Sequence, residues 1–365
     1  MHPIPSLRAG RRLRPLRALA AATTTAIGLL AAPGLASAEV LPSINLQLTP
    51  WTVVAREKGI FKEEFDKVGT KEVNLIASGG AELIGAETAA VSKGAISIAQ
   101  RMIYPATVHR ANGLDGVIVW VSEPSNRYRA PVLAAASNKS VNTLADLDGK
   151  KFGSSRISCY WSAPTEALNS VGLPLDTRQT KGRVRYESID NASVALSAVL
   201  SGATDATTTH LAAGNATGAW LSGKFKVVGH VPDDGVYVNH AGRVTYFAKR
   251  EFVNKYPEAV KAFLASRERA MAWTLDHVDE AAKIVARELR LPIEVARFQI
   301  THLGQWEFMS GEPNADRARH SIKTFVDYYI KQGDDILGER RLNPQQIDAF
   351  VDGRFFVGGT HSIYR

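Results

Sequence analysis

From about residue 44 onwards the sequence alternates short apolar runs with helical patterns, and this alternation constrains the fold more than any other feature. The apolar runs of the first part lie at residues 44–48, 73–77, 95–99 and 117–121. Those of the second part lie at 132–136, 151–153, 183–189, 203–207 and 226–231. Strands that alternate with helices are typical of parallel sheets covered by helices on both faces. We therefore predict an α/β fold with mostly parallel sheets flanked by helices.

The two groups of strands predict two lobes. The first lobe comprises residues 39–128 together with 238–365, and the second comprises 129–237.

The helical patterns predict where the helices lie. In the first lobe, an apolar helical face extends from Trp51 through about Phe65. After a last strand at 244–247 the pattern predicts a helical C-terminal tail, with helices at 249–274, 279–288, 293–303, 315–331 and 344–352. Because ligands of open α/β sheets bind at the carboxyl ends of strands, we expect a ligand site in a cleft between the lobes.

Residues 1–38 have the three-part pattern of a secretory signal peptide. Five arginines form a basic region, an apolar stretch follows, and Ala36-Ser37-Ala38 predicts cleavage next to Glu39. A membrane anchor is the alternative, but Pro33-Gly34 interrupts the stretch before the ~20 apolar residues that a span needs. The Arg11-Arg12 pair leaves open whether export uses the general or the twin-arginine route. We therefore expect an exported protein of the periplasm.

Charge and cysteine content narrow the possible partners. The chain has 44 basic and 36 acidic residues, a net charge of +8, and the five basic residues of the first 38 leave +3 for the remainder. This excess is too small to predict a nucleic-acid partner.

The single cysteine, Cys159, cannot form an intrachain disulfide, so the core of the remaining 327 residues must stabilise the fold. No cysteine lies directly at the expected cleavage site, so we expect no lipid anchor there. We expect the protein to be soluble and monomeric.

The sequence has no motif for catalysis or for a metal. It lacks the Gly-x-Ser-x-Gly, His-Glu-x-x-His, Walker and Cys-x-x-Cys patterns, and its nine histidines are scattered without ligand spacing. We therefore predict that the protein is not an enzyme and uses neither a metal nor a cofactor.

Four stretches resemble the periplasmic solute-binding proteins of the nitrate, aliphatic sulfonate and taurine ABC importers, which have the type II periplasmic binding protein fold. Each stretch has two parts. The first comprises Leu48-Thr49-Pro50-Trp51 and residues 55–61, and the second comprises Ser78-Gly79-Gly80 and residues 93–99. The third comprises residues 147–154 and 167–173, and the fourth comprises residues 200–206 and 249–258. They occur in the family's order over residues 45–290. The resemblance implies a receptor that captures a small organic anion, such as a sulfonate, taurine or nitrate, and delivers it to the transmembrane subunits of an ABC permease.

Polar residues near strand ends and helix starts are the expected ligand-binding residues of the first lobe: Thr49, Trp51, Ser78, Gly79, Gly80, Gln100 and Arg101. Helix N-termini bind oxyanions because their free N–H groups and the helix dipole favour negative charge. Gln100 and Arg101 follow the strand predicted to end at residue 99, and arginine binds a sulfonate or carboxylate through two parallel hydrogen bonds. Helix capping and a surface loop are the alternative roles of these residues.

In the second lobe the expected residues are Ser154, Ser155, Arg156, Ser158, Tyr160, Thr207, Thr208, His210 and Tyr237. The serines and Arg156 precede a helix that is predicted to begin near Tyr160. The threonines, with Thr209, follow another strand, and their hydroxyls are expected to complete an anion shell. The tyrosines are expected to stack on the organic part of a ligand, although aromatic residues at such spacings also form cores.

Two alternatives remain open on the sequence alone. The same fold also suits a neutral or heterocyclic solute, such as a thiamine or flavin precursor. A secreted enzyme or a sensor subunit is the other class. Tyr160 and Trp161 in the cleft, with Arg101 pointing away, would favour a heterocycle, and a pair of titratable groups within hydrogen-bond reach would favour an enzyme.

Overall fold

The structure is a computed structural model, and it describes residues 39–77, 86–122, 131–156, 158–177, 181–209, 214–231, 244–303 and 311–356. These ranges fall within residues 38–365, which form one compact unit. The expected signal peptide lies outside the described residues, as do Ser78, Gly79, Gly80, His210 and Tyr237. Among the described helices, none combines the length and the apolar character needed to cross a membrane.

The described strands form two groups. They are β1 (Ser43–Gln47), β2 (Glu72–Ile76), β3 (Ala99–Met102), β4 (Gly116–Val121), β5 (Pro131–Ala135), β6 (Lys151–Ser154), β7 (Arg185–Ser188), β8 (Ala206–Thr208), β9 (Phe225–His230) and β10 (Val244–Lys249). In the first group β1 pairs with β2, β10 lies between β3 and β4, and a bridge from Leu46 to Ile98 connects the two sets. We call this group the first-sheet region. The second sheet has the order β7-β6-β8-β5-β9.

The α/β class is confirmed, but both groups of strands are mixed rather than mostly parallel. β1 runs parallel to β2, and β6 runs parallel to β7 and β8. β10 is antiparallel to β3 and β4, and β5 is antiparallel to β8 and β9. The chain leaves the first-sheet region after β4 and enters the second sheet with β5, and it returns from β9 to the first-sheet region with β10. The hydrophobic pattern of a strand does not encode its direction, so the sequence did not predict these reversals.

Helices connect and cover the strands. They are α1 (Pro50–Glu57), α2 (Ile60–Asp66), α3 (Ala86–Ser92), α4 (Ile103–Ala111), α5 (Cys159–Asn169), α6 (Ala192–Ser201), α7 (Gly214–Leu221), α8 (Arg250–Lys255), α9 (Pro257–Asp276), α10 (Val278–Leu289), α11 (Ile293–Phe298), α12 (Ala315–Lys331), α13 (Asp335–Glu339) and α14 (Pro344–Asp348). Short 3₁₀ turns lie at Leu144–Leu147 and Gly353–Phe355, and a π-helical turn, Gln299–Leu303, follows α11.

Two of the helices predicted from the sequence are each divided into two. The face predicted from Trp51 to Phe65 is interrupted at Gly59, whose φ of 70° is left-handed and ends α1 before α2 begins. The helix predicted over 249–274 is interrupted at Pro257, which starts α9. Proline has no N–H to continue the preceding helix, and it disfavours helical backbone at the residue before it.

Two strands are displaced from their predicted positions. The strand predicted over 95–99 is β3, which begins at Ala99, so Gln100 and Arg101 lie within the strand and not after it. The strand predicted over 203–207 is β8, which includes both Thr207 and Thr208. In each case polar side chains occupy buried strand positions, and an apolar pattern therefore misses them.

The packing brings α5 against the first-sheet region. The ring of Trp51 meets Phe61, Tyr246 and Phe263 edge-on, with centroid distances of 5.7, 6.2 and 5.3 Å. Ala163 of α5 belongs to the same apolar cluster, and Cys159 packs against it. The helix that follows β6 therefore shares a core with the start of α1.

Residues 311–356, which we call the C-terminal segment, contact both groups of strands. The N–H of Ile118 in β4 donates to the carbonyl of Phe350 at 2.7 Å, and the N–H of Asp352 donates to the carbonyl of Ile118 at 3.0 Å. Phe325 and Tyr329 of α12 lie in a second apolar cluster together with residues of both groups. The segment is therefore an integral part of the core.

Candidate functional site

Buried polar atoms without a partner among the described residues occur at several positions where the sequence predicts a ligand. Five of them are Trp51 Nε1 at the start of α1, Gln100 Nε2 within β3, Ser154 Oγ and Ser155 Oγ at the end of β6, and Thr209 Oγ1 after β8. A buried donor or hydroxyl left unsatisfied costs about 1–3 kcal/mol, so proteins rarely keep one unless it has a further role. All five atoms belong to residues that the sequence analysis names as candidates for the ligand, and Thr209 lies directly after β8.

The side chain of Gln100 in β3 uses its amide oxygen but not its amide nitrogen for hydrogen bonding among the described residues. The backbone N–H of Gln100 donates to Gln47 Oε1 at 2.6 Å, and Gln100 Oε1 lies 3.4 Å from the hydroxyl of Tyr246. That hydroxyl accepts a hydrogen bond from Arg267 Nε at 3.0 Å, and the Arg267 guanidinium lies 3.9 Å over the ring of Trp120. The amide oxygen of Gln100 is therefore directed into this cluster, whereas its amide nitrogen makes no hydrogen bond to any residue that the structure describes.

Thr49 and Trp51 have different surroundings at the start of α1. Thr49 is the N-cap, and its N–H donates to Thr52 Oγ1 at 2.8 Å. Trp51 is 1% exposed in the aromatic core, and its indole N–H is the only polar group of that side chain. Thr49 therefore has a structural role in capping α1, while Trp51 combines a core ring with an unsatisfied donor.

The second sheet contributes hydroxyls at one edge. Ser154 ends β6, Ser155 follows it, and both side chains are buried. Ser158 is the N-cap of α5, and its hydroxyl accepts the N–H of Tyr160 at 3.1 Å. β8 runs parallel to β6, so Thr209 follows its strand at the same edge as the two serines. Hydroxyls beside the N-terminus of an 11-residue helix form a suitable environment for an oxyanion.

The other expected residues of the second sheet bond within the protein. The hydroxyls of Thr207 and Thr208 each donate to a backbone carbonyl, those of Gly153 and Pro131, at 2.7 Å. Thr207 and Thr208 therefore stabilise the second sheet and do not join the unsatisfied atoms described above. Tyr160 is 3% exposed in the first turn of α5.

The two expected arginines point into protein surroundings. Arg101 in β3 lies close to His109 of α4, and burial together with the charge of Arg101 lowers the pKa of His109 to about 3. Arg156 Nη1 donates to the hydroxyl of Tyr104 at 2.9 Å, and its guanidinium lies 3.8 Å over the ring of Trp161. The two arginines therefore interact with different residues of α4, Arg101 with His109 and Arg156 with Tyr104.

A cavity of about 550 Å³ opens beside Arg156 and Trp161. Its remaining walls are Asp176, Thr177, Tyr186, Ile336 and Glu339. The Tyr186 hydroxyl donates to the carbonyl of Ser154 at 2.6 Å, and burial raises the pKa of this tyrosine to about 12. The cavity therefore borders the serine-bearing end of β6 on the side of α13.

Sequence reasoning missed Gln47, Trp120, Tyr246 and Arg267. Arg267 had the clearest signal, because it occupies the buried face of α9 that also bears Phe263 and Ala270. A charged residue on an apolar helical face predicts a buried polar contact. Gln47 gave a weaker signal as a polar residue at the end of an apolar strand.

The comparisons with known proteins agree with this architecture. A family model described as NMT1/THI5 like matches residues 49–281. The alkanesulfonate-binding protein SsuA from Xanthomonas axonopodis pv. citri bound to MOPS is 14% identical, with a TM-score of 0.66 over 86% of this chain and 99% of its own. The periplasmic aliphatic sulphonate binding protein SsuA from Escherichia coli is 20% identical, with a TM-score of 0.64 over 85% and 96%.

A desulfurization enzyme, DSZB, also has a similar structure. It is 14% identical, with a TM-score of 0.57 over 87% of this chain and 98% of its own. No curated protein matches the sequence significantly. At these identities the likenesses establish the periplasmic binding protein fold.

Proposed function

The chain belongs to the NMT1/THI5-like family, and from that premise we propose that it is the solute-binding component of an ABC importer. The observation that supports this role best is a set of five buried atoms, from the start of α1, from β3 and from the ends of β6 and β8, that have no hydrogen-bond partner among the described residues. A solute that bonds to these atoms removes their desolvation cost, which favours the bound state. No covalent step is needed to explain them, so we propose a receptor and not an enzyme.

The proposed solute is a small organic anion, and a sulfonate fits best. Trp51 Nε1 and Gln100 Nε2 are donors only, the three hydroxyls can also donate, and α5 directs its N-terminus to the same edge. The SsuA relative from Xanthomonas binds MOPS, which is a sulfonate. Hydrogen bonds to a charged group contribute about 1.5–3 kcal/mol each, so three or four account for a micromolar site of about −8 kcal/mol before ordering costs.

We further propose that the solute is enclosed by two lobes, residues 39–128 with 238–365 and residues 129–237, which move about the crossings between them. The first-sheet region and the second sheet draw their strands from these two sets of residues, which supports this division. The protein is exported to the periplasm after cleavage near Ala38, acts as a monomer, and delivers the solute to the transmembrane subunits of a permease.

Calorimetric titration tests the proposal. The protein is titrated with ethanesulfonate, taurine, MOPS, nitrate and benzoate, and one of the sulfonates is expected to bind at micromolar concentration with a stoichiometry of one. Thr209→Val removes an unsatisfied hydroxyl and keeps the shape of the side chain, so it should weaken binding by about tenfold or more. Thr301→Val, at an exposed hydroxyl that donates to the carbonyl of Arg297, is the matched control. Absence of binding by every anion would refute the proposal.

Two observations bear on the alternatives. Trp161 is 2% exposed, its indole N–H donates to Asp334, and Arg156 covers its ring, which disfavours stacking on a heterocyclic solute. The likeness to DSZB keeps a desulfurising enzyme as the second candidate. Incubation with biphenyl-2-sulfinate, the compound bound in a solved structure of a DSZB mutant, tests it. Release of sulfite that is abolished by Cys159→Ser would favour the enzyme over the receptor.

A further inference from the structure

The C-terminal segment contains a buried carboxylate that is fully hydrogen-bonded. Asp334, which is 3% exposed, is the N-cap of α13, and its Oδ1 accepts the N–H of Leu337 at 2.9 Å. Its Oδ2 accepts the hydroxyl of Tyr104 at 2.8 Å and the indole N–H of Trp161 at 3.0 Å. Arg156 Nη1 lies 3.5 Å from the same oxygen. This one carboxylate therefore connects α4, the residues after β6, α5 and the C-terminal segment.

The ion pair in this network is largely shielded from water. The side chain of Asp334 is 1% exposed and that of Arg156 is 17% exposed. Surface ion pairs contribute little because solvent screens them, whereas removal of one partner of a buried pair leaves an uncompensated charge. Arg156 is further fixed by its hydrogen bond to Tyr104 and by its position over Trp161. The network is therefore expected to hold its members in one arrangement.

The network holds two points of the stretch that bears the expected ligand-binding serines. We call residues 154–156 and 158–161 the serine segment. Arg156 directly follows Ser154 and Ser155, and Trp161 lies in the first turn of α5. A binding group contributes fully only when it is held within about 0.5 Å of its productive position. Contacts to Asp334 directly after Ser155 and on both sides of Ser158 supply such support.

We infer that Asp334 is a positioning residue for the proposed solute site. It holds the serine segment through Arg156 and Trp161, so that the hydroxyls and the N-terminus of α5 bind the solute together. This inference rests on the proposed function. It gives Arg156, an expected ligand-binding residue, a role as the structural partner of Asp334.

Two variants and two matched controls test the inference. Asp334→Asn removes the charge at nearly constant volume, and Trp161→Phe removes one donor to Asp334 and keeps an aromatic ring. Tyr329→Phe removes another contact between α12 and α5, the hydroxyl that donates to the carbonyl of Ser162 and to Glu166. Asp327→Asn removes a carboxylate from an exposed pair with Lys323. Tyr329→Phe therefore controls for destabilisation, and Asp327→Asn controls for loss of charge.

The first measurement needs no ligand. Hydrogen–deuterium exchange is followed at the amides of the serine segment. Exchange is expected to accelerate at least tenfold in Asp334→Asn and to a smaller extent in Trp161→Phe, and to stay within twofold of wild type in both controls. Equal exchange in Asp334→Asn and Tyr329→Phe would overturn the inference. If Asp334→Asn does not fold, the exchange rates of the serine segment are compared between Trp161→Phe and Tyr329→Phe. Equal rates in these two variants would likewise overturn the inference.

The second measurement is the affinity for the sulfonate that binds the wild type, titrated well below the unfolding temperature. The dissociation constant is expected to rise at least tenfold in Asp334→Asn, and the double variant with Trp161→Phe should bind no more weakly, because both changes act through one network. Affinity within twofold of wild type would overturn the inference and leave the proposed function intact. If the wild type binds none of the anions, the proposed function itself fails, and the solute-positioning role of Asp334 fails with it.

Discussion

Replacement of Ser155 by alanine is predicted to stabilise the ligand-free protein and to weaken solute binding. Ser155 is 0% exposed, and its Oγ makes no hydrogen bond among the described residues. If a hydroxyl contributes only to folding, its removal lowers the free energy of unfolding. If a hydroxyl is kept for a ligand, it destabilises the ligand-free protein, so its removal should raise the free energy of unfolding.

The magnitude follows from the two opposing terms. Removing an unsatisfied buried hydroxyl relieves about 1–3 kcal/mol of desolvation, and the small void left by one oxygen atom offsets part of this gain. We therefore expect Ser155→Ala to raise the free energy of unfolding by about 1 kcal/mol. In the bound state the same change removes a hydrogen bond to a charged solute, which corresponds to about a tenfold or greater loss of affinity.

Urea unfolding of the ligand-free protein measures the first effect, and calorimetric titration measures the second. Ser266→Ala is the matched control, because Ser266 is equally buried but its hydroxyl donates to the carbonyl of Ala262 at 2.8 Å. The control should lower the free energy of unfolding by about 1 kcal/mol and leave affinity unchanged. If Ser155→Ala destabilises the protein as the control does, the Ser155 hydroxyl serves the fold and is not kept unsatisfied for the solute.

Three further predictions concern the surrounding fold. Tyr246→Phe should lower the free energy of unfolding by about 1.5–3 kcal/mol in urea, because the buried Arg267 Nε loses its acceptor. Burial lowers the pKa of His109 to about 3, so it binds a proton only on unfolding, and stability should fall as the pH drops below 6.5. The expected slope is about 1.4 kcal/mol per pH unit; His109→Gln should remove it, and His320→Gln, at an exposed histidine, should not. Gly59→Ala should cost about 1 kcal/mol by thermal unfolding, because φ at this residue is 70° and no nearby atom obstructs the added methyl group.

The sequence predicted the elements better than their pairing. Alternating apolar runs located most described strands to within a few residues, and α12 lies where the pattern predicts it. The exceptions have physical causes, since Gly59 and Pro257 interrupt helices at positions where an apolar face continues. Strand direction was not predictable, because it depends on where the chain crosses between the two groups of strands.

The positions of the candidate site residues were predictable where local rules determine them. Ser154, Ser155 and Ser158 lie where a strand leads into a helix, as predicted, whereas Gln100 was expected after a strand and lies within β3. Arg267 was not predictable from local rules, because its partners Tyr246 and Trp120 are brought to it by tertiary packing. Arg156 was assigned to the solute because it precedes the N-terminus of a helix, whereas the structure directs its guanidinium to Tyr104 and Trp161.

The C-terminal segment limits what the family likeness can transfer to this chain. The family model ends at residue 281, whereas Asp334 and the backbone contacts of Phe350 lie beyond it. This segment contacts β4 on one side and α5 on the other, so any movement between the two groups of strands must preserve or break its contacts. The contacts to β4 are backbone hydrogen bonds, and those to α5 are side-chain contacts through Asp334 and Tyr329. Side-chain contacts adjust through rotamers more readily than a backbone bridge, so a closing motion should carry the C-terminal segment with the first-sheet region and alter its contacts to α5.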